Sequence, residues 1–467
     1  MAKPRAVYVL IGILFAAAAA SAEAAEATFP DDVQWPGWAA ARSDADVQPV
    51  GDQQAKRWLR WVIPLPKRVH IEGKLTLPAE RLAVRLRPDS SDVERTAVEE
   101  FKALISEKTG AERFDGDFTI HVGVCDKDGK LNGVKIPGAD SLAGLNNANQ
   151  AYAIAPLSET GLAVVGLTPK GVFYGLKTLG QLMEPELAFG RATVPLMAVL
   201  DWPDMAERGM WGKIGNQDPL YLADRKMNLI ESHVEMGFDQ QGRAVTSIDS
   251  ETQQSARLHA VNWVPIISHL DMLGRKGLFE HYPELAGEGP KAKHPTMKNY
   301  RAACFSKPKT AEILAQWFES LARVEGITDI NVWLAEEDVV CGCPECKDKG
   351  PFVLQTEAAV RAWQLAKKKY PHVRLRILLS QGSYPVNDKV IAAVPPEVGV
   401  TYYHGFLTYS SSREEMIYPL LAGYAKGLYG FLCQPIRARY LLVISGRRSS
   451  NMIAKWFNAS FQFRIGI

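Results

Sequence analysis

Apolar residues along this chain recur in two rhythms, and the change between them falls near residue 208. Before it, short β-branched runs predict strands over residues 63–71, 81–86, 118–124, 151–155 and 161–166, separated by Gly, Asn and Asp turns. Residues 93–108 predict an amphipathic helix, and 171–183 predict another, with Phe173, Leu176, Leu179 and Leu182 at helical spacing. This mixed sheet-and-helix region is expected to end near residue 195.

From Arg208 onward strands and helices alternate. Apolar runs predict strands over residues 209–214, 229–234, 263–268, 329–334, 375–379, 398–403 and 427–432. Helical patterns lie between some of them, over 309–324, 355–369 and 413–426. Such alternation implies a parallel sheet with crossover helices. With no Gly-x-Gly-x-x-Gly after the first strand, a (β/α)8 TIM-type barrel is expected rather than a doubly wound sheet. The fold class is therefore α/β, a barrel preceded by a small α+β domain.

The amino terminus changes the picture by adding a targeting segment. Lys3 and Arg5 precede an apolar run to Ala20, and Ala20-Ser21-Ala22 fits a small-x-small cleavage site, the pattern of a secretory signal over residues 1–22. The run is short for a bilayer span, so a secreted or periplasmic location is expected, with no stable membrane span. A leader over 23–58, a first domain over 59–198 and a barrel domain over 199–467 complete the expected division.

Composition is that of a globular chain, 47% hydrophobic and 23% charged over 467 residues, which leaves room for a large core. The formal charge of +2 offers no basic footprint for nucleic acid. After Glu415 no acid occurs, and this Leu-, Ile- and Phe-rich final stretch suggests a barrel that should continue past Ile467. Six cysteines are present: Cys125, Cys304, Cys341, Cys343, Cys346 and Cys433. In an exported chain they allow loop-bracing disulfides or free thiols. Cys341-Gly-Cys343-Pro-Glu-Cys346 with Cys304 as a fourth ligand also allows a structural metal. No dinucleotide, P-loop, Gly-x-Ser-x-Gly or His-Glu-x-x-His motif occurs, so no cofactor is expected.

Two stretches are more specific than periodicity. Tyr152-Ala-Ile-Ala, Gly161-Leu-Ala-Val-Val-Gly-Leu and Lys170-Gly-Val-Phe-Tyr-Gly-Leu-Lys-Thr-Leu-Gly-Gln-Leu-Met183 resemble the zincin-like domain that precedes the barrel in glycoside hydrolase family 20. The same domain precedes the barrels of O-GlcNAcase-type and α-glucuronidase families. Asp201-Trp-Pro-Asp204 followed by Arg208-Gly209 is similar to the junction leading into the first barrel strand of these enzymes. The resemblance covers residues 60–215 well and implies a barrel and a carbohydrate context.

In a parallel barrel the site lies at the carboxyl ends of the strands. The fourth barrel run ends in Leu334-Ala-Glu336-Glu337-Asp338, three consecutive acids. Family 20 carries Gly-Gly-Asp-Glu there, the Glu as general acid and the Asp orienting the substrate's acetamido group as nucleophile, a substrate-assisted exception to the two-carboxylate scheme. The resemblance therefore implies Glu337 as acid/base and Glu336 as the orienting residue, although Leu and Ala replace the glycines and the first acid is a longer Glu. Strand alternation allows only one of the two to point inward without a bulge. Asp338, His269, Asp271, Tyr402, His404 and Trp211 are the expected substrate-binding residues, with Glu231, His233, Gln381 and Tyr403 as further strand-end candidates. Arg301-Ala-Ala-Cys304 and the cysteine trio also resemble a group of bacterial barrel proteins with the same first domain, in which cysteines follow strand four. The expected function is an exported glycosidase acting on N-acetylhexosamine-containing glycans. A barrel glycosidase for another sugar such as a uronic acid, and a carbohydrate-binding pseudoenzyme, are the alternatives.

Overall fold

The computed structural model describes residues 46–158, 160–211, 218–380, 382–402 and 443–445. The expected signal, most of the leader, Gln381, Tyr403, His404, Cys433 and the acid-free stretch apart from 443–445 lie outside the described residues, as do the strand expected over 427–432 and the helix over 413–426.

The first unit is a seven-stranded mixed sheet. Its strands are β1 (Asp46–Pro49), β2 (Arg68–Pro78), β3 (Leu82–Leu86), β4 (Phe118–Val124), β5 (Tyr152–Ser158), β6 (Gly161–Gly166) and β7 (Arg191–Asp201). They lie in the order β1-β2-β7-β5-β6-β4-β3. Helices α1 (Asp92–Thr109) and α2 (Pro169–Met183) pack together over one face. α1 begins in a capping box, with Ser91 and Glu94 each accepting from the other's backbone N–H. It ends at Gly110, whose φ of +75° closes the last turn.

The central strands are buried on both faces, which is why they read as apolar runs. Tyr152, Ile154, Leu162 and Val164 join the core under the helices, whereas Ala153, Ala155, Ala163 and Val165 face a second cluster with Leu131, Ile136 and Leu142. Gly171 lets α2 sit close to the sheet, since a Cβ there would lie 2.3 Å from the Ala151 carbonyl oxygen.

Two expectations need correction here. The strand predicted from residue 63 begins only at Arg68, because Pro64 and Pro66 supply no N–H for a ladder. The domain does not end near 195, since β7 runs through to Asp201. Pro195 disguises that strand, and it is tolerated because β5 pairs with β7 only from Val199 to Asp201.

The junction motif locks the two units together. Asp201 accepts from the Tyr152 hydroxyl (2.9 Å) and the Lys67 backbone N–H (3.1 Å). The Arg208 guanidinium donates to the Lys226 carbonyl at 3.1 and 2.6 Å, and Asn228 donates to Gln150 at 3.0 Å. Lys226 is fully enclosed beside Tyr152, and burial pushes its amine down to about 8.

The second unit has strands β8 (Gly209–Trp211), β9 (Leu229–His233), β10 (Asn262–Ile267), β11 (Asp329–Trp333), β12 (Arg374–Leu379), β13 (Gly399–Tyr402) and β14 (Val443–Ser445). Every pairing among them is parallel, in the order β13-β12-β11-β10-β9-β8-β14. Sequence order matches spatial order from β8 to β13, and β14 returns beside β8, the neighbour relation of a barrel. Helices α3 (Pro308–Ala322) and α4 (Pro351–Lys367) pack side by side between the strands they connect.

A buried ion network fills the interior toward the amino ends of the strands. Arg376 donates to both Glu207 oxygens (2.7 and 2.6 Å) and to Asp329 (3.0 Å), holding the Asp329 carboxyl well below the usual range against the cost of burial. Nearer the carboxyl ends, Trp211, Ile266, Trp333 and Leu378 form a separate apolar layer.

Candidate functional site

The acidic run begins three residues after the end of β11, and side chains from distant segments hold its backbone in place. The Ala335 N–H donates to Gln355 (3.0 Å), and the Ala335 carbonyl accepts from the Ser380 hydroxyl (2.7 Å). The Glu337 N–H donates to Asp271 at 3.2 Å. Gly382 packs against the same peptides, so closely that a Cβ would lie 2.4 Å from the Ala335 oxygen and 2.8 Å from that of Glu336.

The two glutamates held by this brace differ in exposure. Glu336 is half-buried, with Oε2 3.3 Å from His269 Nε2. Glu337 is exposed, and Asp338 is exposed and paired with Lys291. His269 Nδ1 lies 3.0 Å from the Leu334 carbonyl, an acceptor only, so Nδ1 carries the hydrogen. The Glu336–His269 pair sits at the mouth of the sheet.

Behind it, Asp271 is fully buried. One oxygen accepts from the Tyr300 hydroxyl (2.8 Å) and from Glu337 N–H, while the other has no hydrogen-bond partner among the described residues. Burial raises its pKa, opposed by the Tyr300 hydrogen bond and the nearby His269. Asp271 thus links Tyr300 to the backbone of the acidic run.

The floor of the site is aromatic. The Trp333 ring lies 5.1 Å from that of Trp211, 5.0 Å from His233 and 5.1 Å from His269, centroid to centroid. The two indoles are tilted by 44°, Trp333 buried and Trp211 half-buried, and this aromatic cluster, edged by a carboxylate and two imidazoles, combines the apolar and polar groups a pyranose needs. Glu231 lies deeper, on β9. Burial pushes its carboxyl up to about 7, against the Arg376 charge and an Asn331 hydrogen bond of 2.9 Å.

Of the expected site residues, the structure brings Glu336, His269, Asp271 and Trp211 together. Glu337 and Asp338 sit at the exposed rim. Tyr402 is described only in its backbone, on β13 opposite Leu379, and His404 lies outside the described residues. Sequence reasoning did not single out Trp333 or Tyr300. Trp333 was legible, since alternation puts it on the same face as Asn331; Tyr300 lies in a loop without a pattern.

The disulfide expectation is corrected: Cys125, Cys304, Cys341, Cys343 and Cys346 are all free. Four of them converge beside the acidic run instead, their sulfurs all within 4.8 Å of one another.

Comparison with known proteins agrees with this architecture. Residues 60–202 match the family model for glycosyl hydrolase family 20, domain 2. Among solved structures, the chain is similar to the N-acetyl-beta-hexosaminidase of Streptomyces plicatus, with 16% identity and a TM-score of 0.52 over 81% of this chain and 74% of that one. It is also similar to the exo beta-N-acetylglucosaminidase of Vibrio harveyi (14%, 0.51, 78% and 60%) and to the chitobiase of Flavobacterium johnsoniae (15%, 0.50, 74% and 59%). The chain thus spans less than two thirds of the length of these last two. No curated protein matches it. The resemblance to family 20 is borne out, in the first unit by sequence and across both units by fold.

Proposed function

We propose that this chain is a glycoside hydrolase acting on N-acetylhexosamine-containing glycans, with Glu336 rather than Glu337 as its general acid/base. The observation that carries the reading is the Glu336–His269 pair beside the Trp333–Trp211 floor, at the carboxyl end of a parallel sheet that follows a family 20 domain. A half-buried carboxyl beside an imidazole is placed to serve a leaving glycosidic oxygen.

In the proposed reaction the C1–O bond breaks as Glu336 gives its proton to the leaving oxygen. The substrate's own acetamido oxygen bonds to C1, and water then opens that intermediate while Glu336 takes a proton back. Glu337 takes the orienting role, its backbone held by Asp271. Asp271 and Tyr300 are positioning residues, since they act through the peptide of Glu337. A closed barrel belongs to the same proposal, supported by β14 running parallel to β8. Export rests on the expected signal; no helix among the described residues is long and apolar enough to cross a membrane.

An aryl-glycoside panel tests this reading on the full chain. Turnover of N-acetylhexosaminides and not of the matching hexosides is expected. Turnover of uronides alone would move the substrate to another sugar, and binding without turnover would make the chain a carbohydrate-binding protein.

A further inference from the structure

The acidic run is followed by a second chemical constellation for which glycoside cleavage has no use. Cys304 lies just ahead of α3, Cys341 and Cys343 in the loop after β11, and Cys346 in the short helix Pro344–Lys349. Cys304 Sγ is 3.8 Å from Cys343 Sγ and 3.9 Å from Cys346 Sγ, and all four sulfurs fall within 4.8 Å of one another. A disulfide needs sulfurs about 2.05 Å apart, far closer than these. A tetrahedron of thiolates around zinc, with Zn–S of about 2.3 Å, separates its sulfurs by about 3.8 Å, which the two Cys304 distances match.

The surroundings suit a closed metal site. Cys304, Cys341 and Cys346 are buried and Cys343 half-buried. The Glu288 N–H points at Cys341 Sγ at 3.3 Å, the kind of donor that orients a thiolate ligand. The chain at Gly287 is pressed against this ligand, since a Cβ there would lie 3.2 Å from Cys341 Cβ and 2.7 Å from the Ala302 oxygen. Four soft sulfur ligands select zinc over hard cations, and a full set of four leaves no open position for substrate.

We infer that Cys304, Cys341, Cys343 and Cys346 form a structural zinc site that clips the loop after the acidic run to the segment ahead of α3. The site stands apart from the proton chemistry at Glu336. Its tie to that chemistry is mechanical: Cys341 follows Asp338 by three residues, and the Val340 N–H donates to the Lys291 carbonyl on the clipped segment (3.0 Å).

Metal analysis of the purified full chain, prepared without added metal, tests this independently of any glycosidase assay. One zinc per chain is expected, released in equal amount when a mercurial blocks the thiols. Exchange into Co2+ should give the sulfur-to-metal charge-transfer and visible bands of a tetrahedral thiolate site. Cys304→Ser and Cys346→Ser should each lose most of the zinc. Should those variants fail to fold, the wild-type stoichiometry and the cobalt spectrum still decide the matter. Wild-type protein with no stoichiometric metal, with iron in place of zinc, or with disulfides among these four cysteines by mass spectrometry would overturn the inference.

Discussion

Replacing Gly382 with alanine probes whether the brace around Ala335 and Glu336 sets the position of the proposed acid. The new Cβ would fall 2.4 Å from one backbone oxygen and 2.8 Å from the next, neither of which can rotate away. Non-bonded carbon–oxygen approaches below about 3 Å are repulsive, so the Glu336 peptide or the Gly382 loop must shift by at least roughly 0.6 Å. Overpacking of this size costs about 1–3 kcal/mol of stability. A misplacement near 1 Å costs on the order of 100-fold in rate, so kcat/KM for an aryl N-acetylhexosaminide should fall about 10- to 100-fold. Steady-state kinetics beside a thermal melt separate the two effects. A variant whose melting temperature drops while kcat/KM of the folded fraction stays at the wild-type value would refute the positioning argument, because the clash would then be absorbed away from Glu336.

Two further outcomes follow from the interior of the second unit. Arg376→Met strands Glu207 and Asp329 without their main cation and should destabilise the chain by about 3–5 kcal/mol in denaturant titration at neutral pH; a loss under about 1 kcal/mol would contradict the network. Glu231 carries a folded-state pKa of about 7 against an ordinary 4.5, so its proton is held more tightly in the folded chain. The stability linked to that proton is fully present below about pH 4.5 and lost as pH rises through 7, roughly 3 kcal/mol in all. Glu231→Gln should flatten this window when denaturant midpoints are compared at pH 5 and pH 8, and an unchanged slope would argue against a buried, proton-binding Glu231.

Much of the architecture was legible because its strands are short apolar runs with clean ends. β4 and β6 match their predicted bounds, and β9, β10, β11 and β12 fall within a residue of theirs. β7 was missed because Pro195 reads as a strand breaker until the register shows only one partner beside it. The acidic run was visible as the end of the strand run over 329–334, but which glutamate turns inward was not. That choice depends on Gln355, Ser380, Asp271 and His269, which come from three other segments and meet only in the fold. The cysteine trio was conspicuous, whereas its convergence with Cys304 depends on how the segment ahead of α3 packs against the loop after β11.

The assignment of Glu336 is tested most directly by the leaving-group dependence of two variants. A missing general acid hurts most where the departing oxygen is most basic. Glu336→Gln should therefore cleave aryl N-acetylhexosaminides with a rate that falls steeply as the leaving-group pKa rises, whereas Glu337→Gln should lose rate by a similar factor across the series. A steep dependence in Glu337→Gln with a flat one in Glu336→Gln, or unimpaired turnover by Glu336→Gln, would contradict the account.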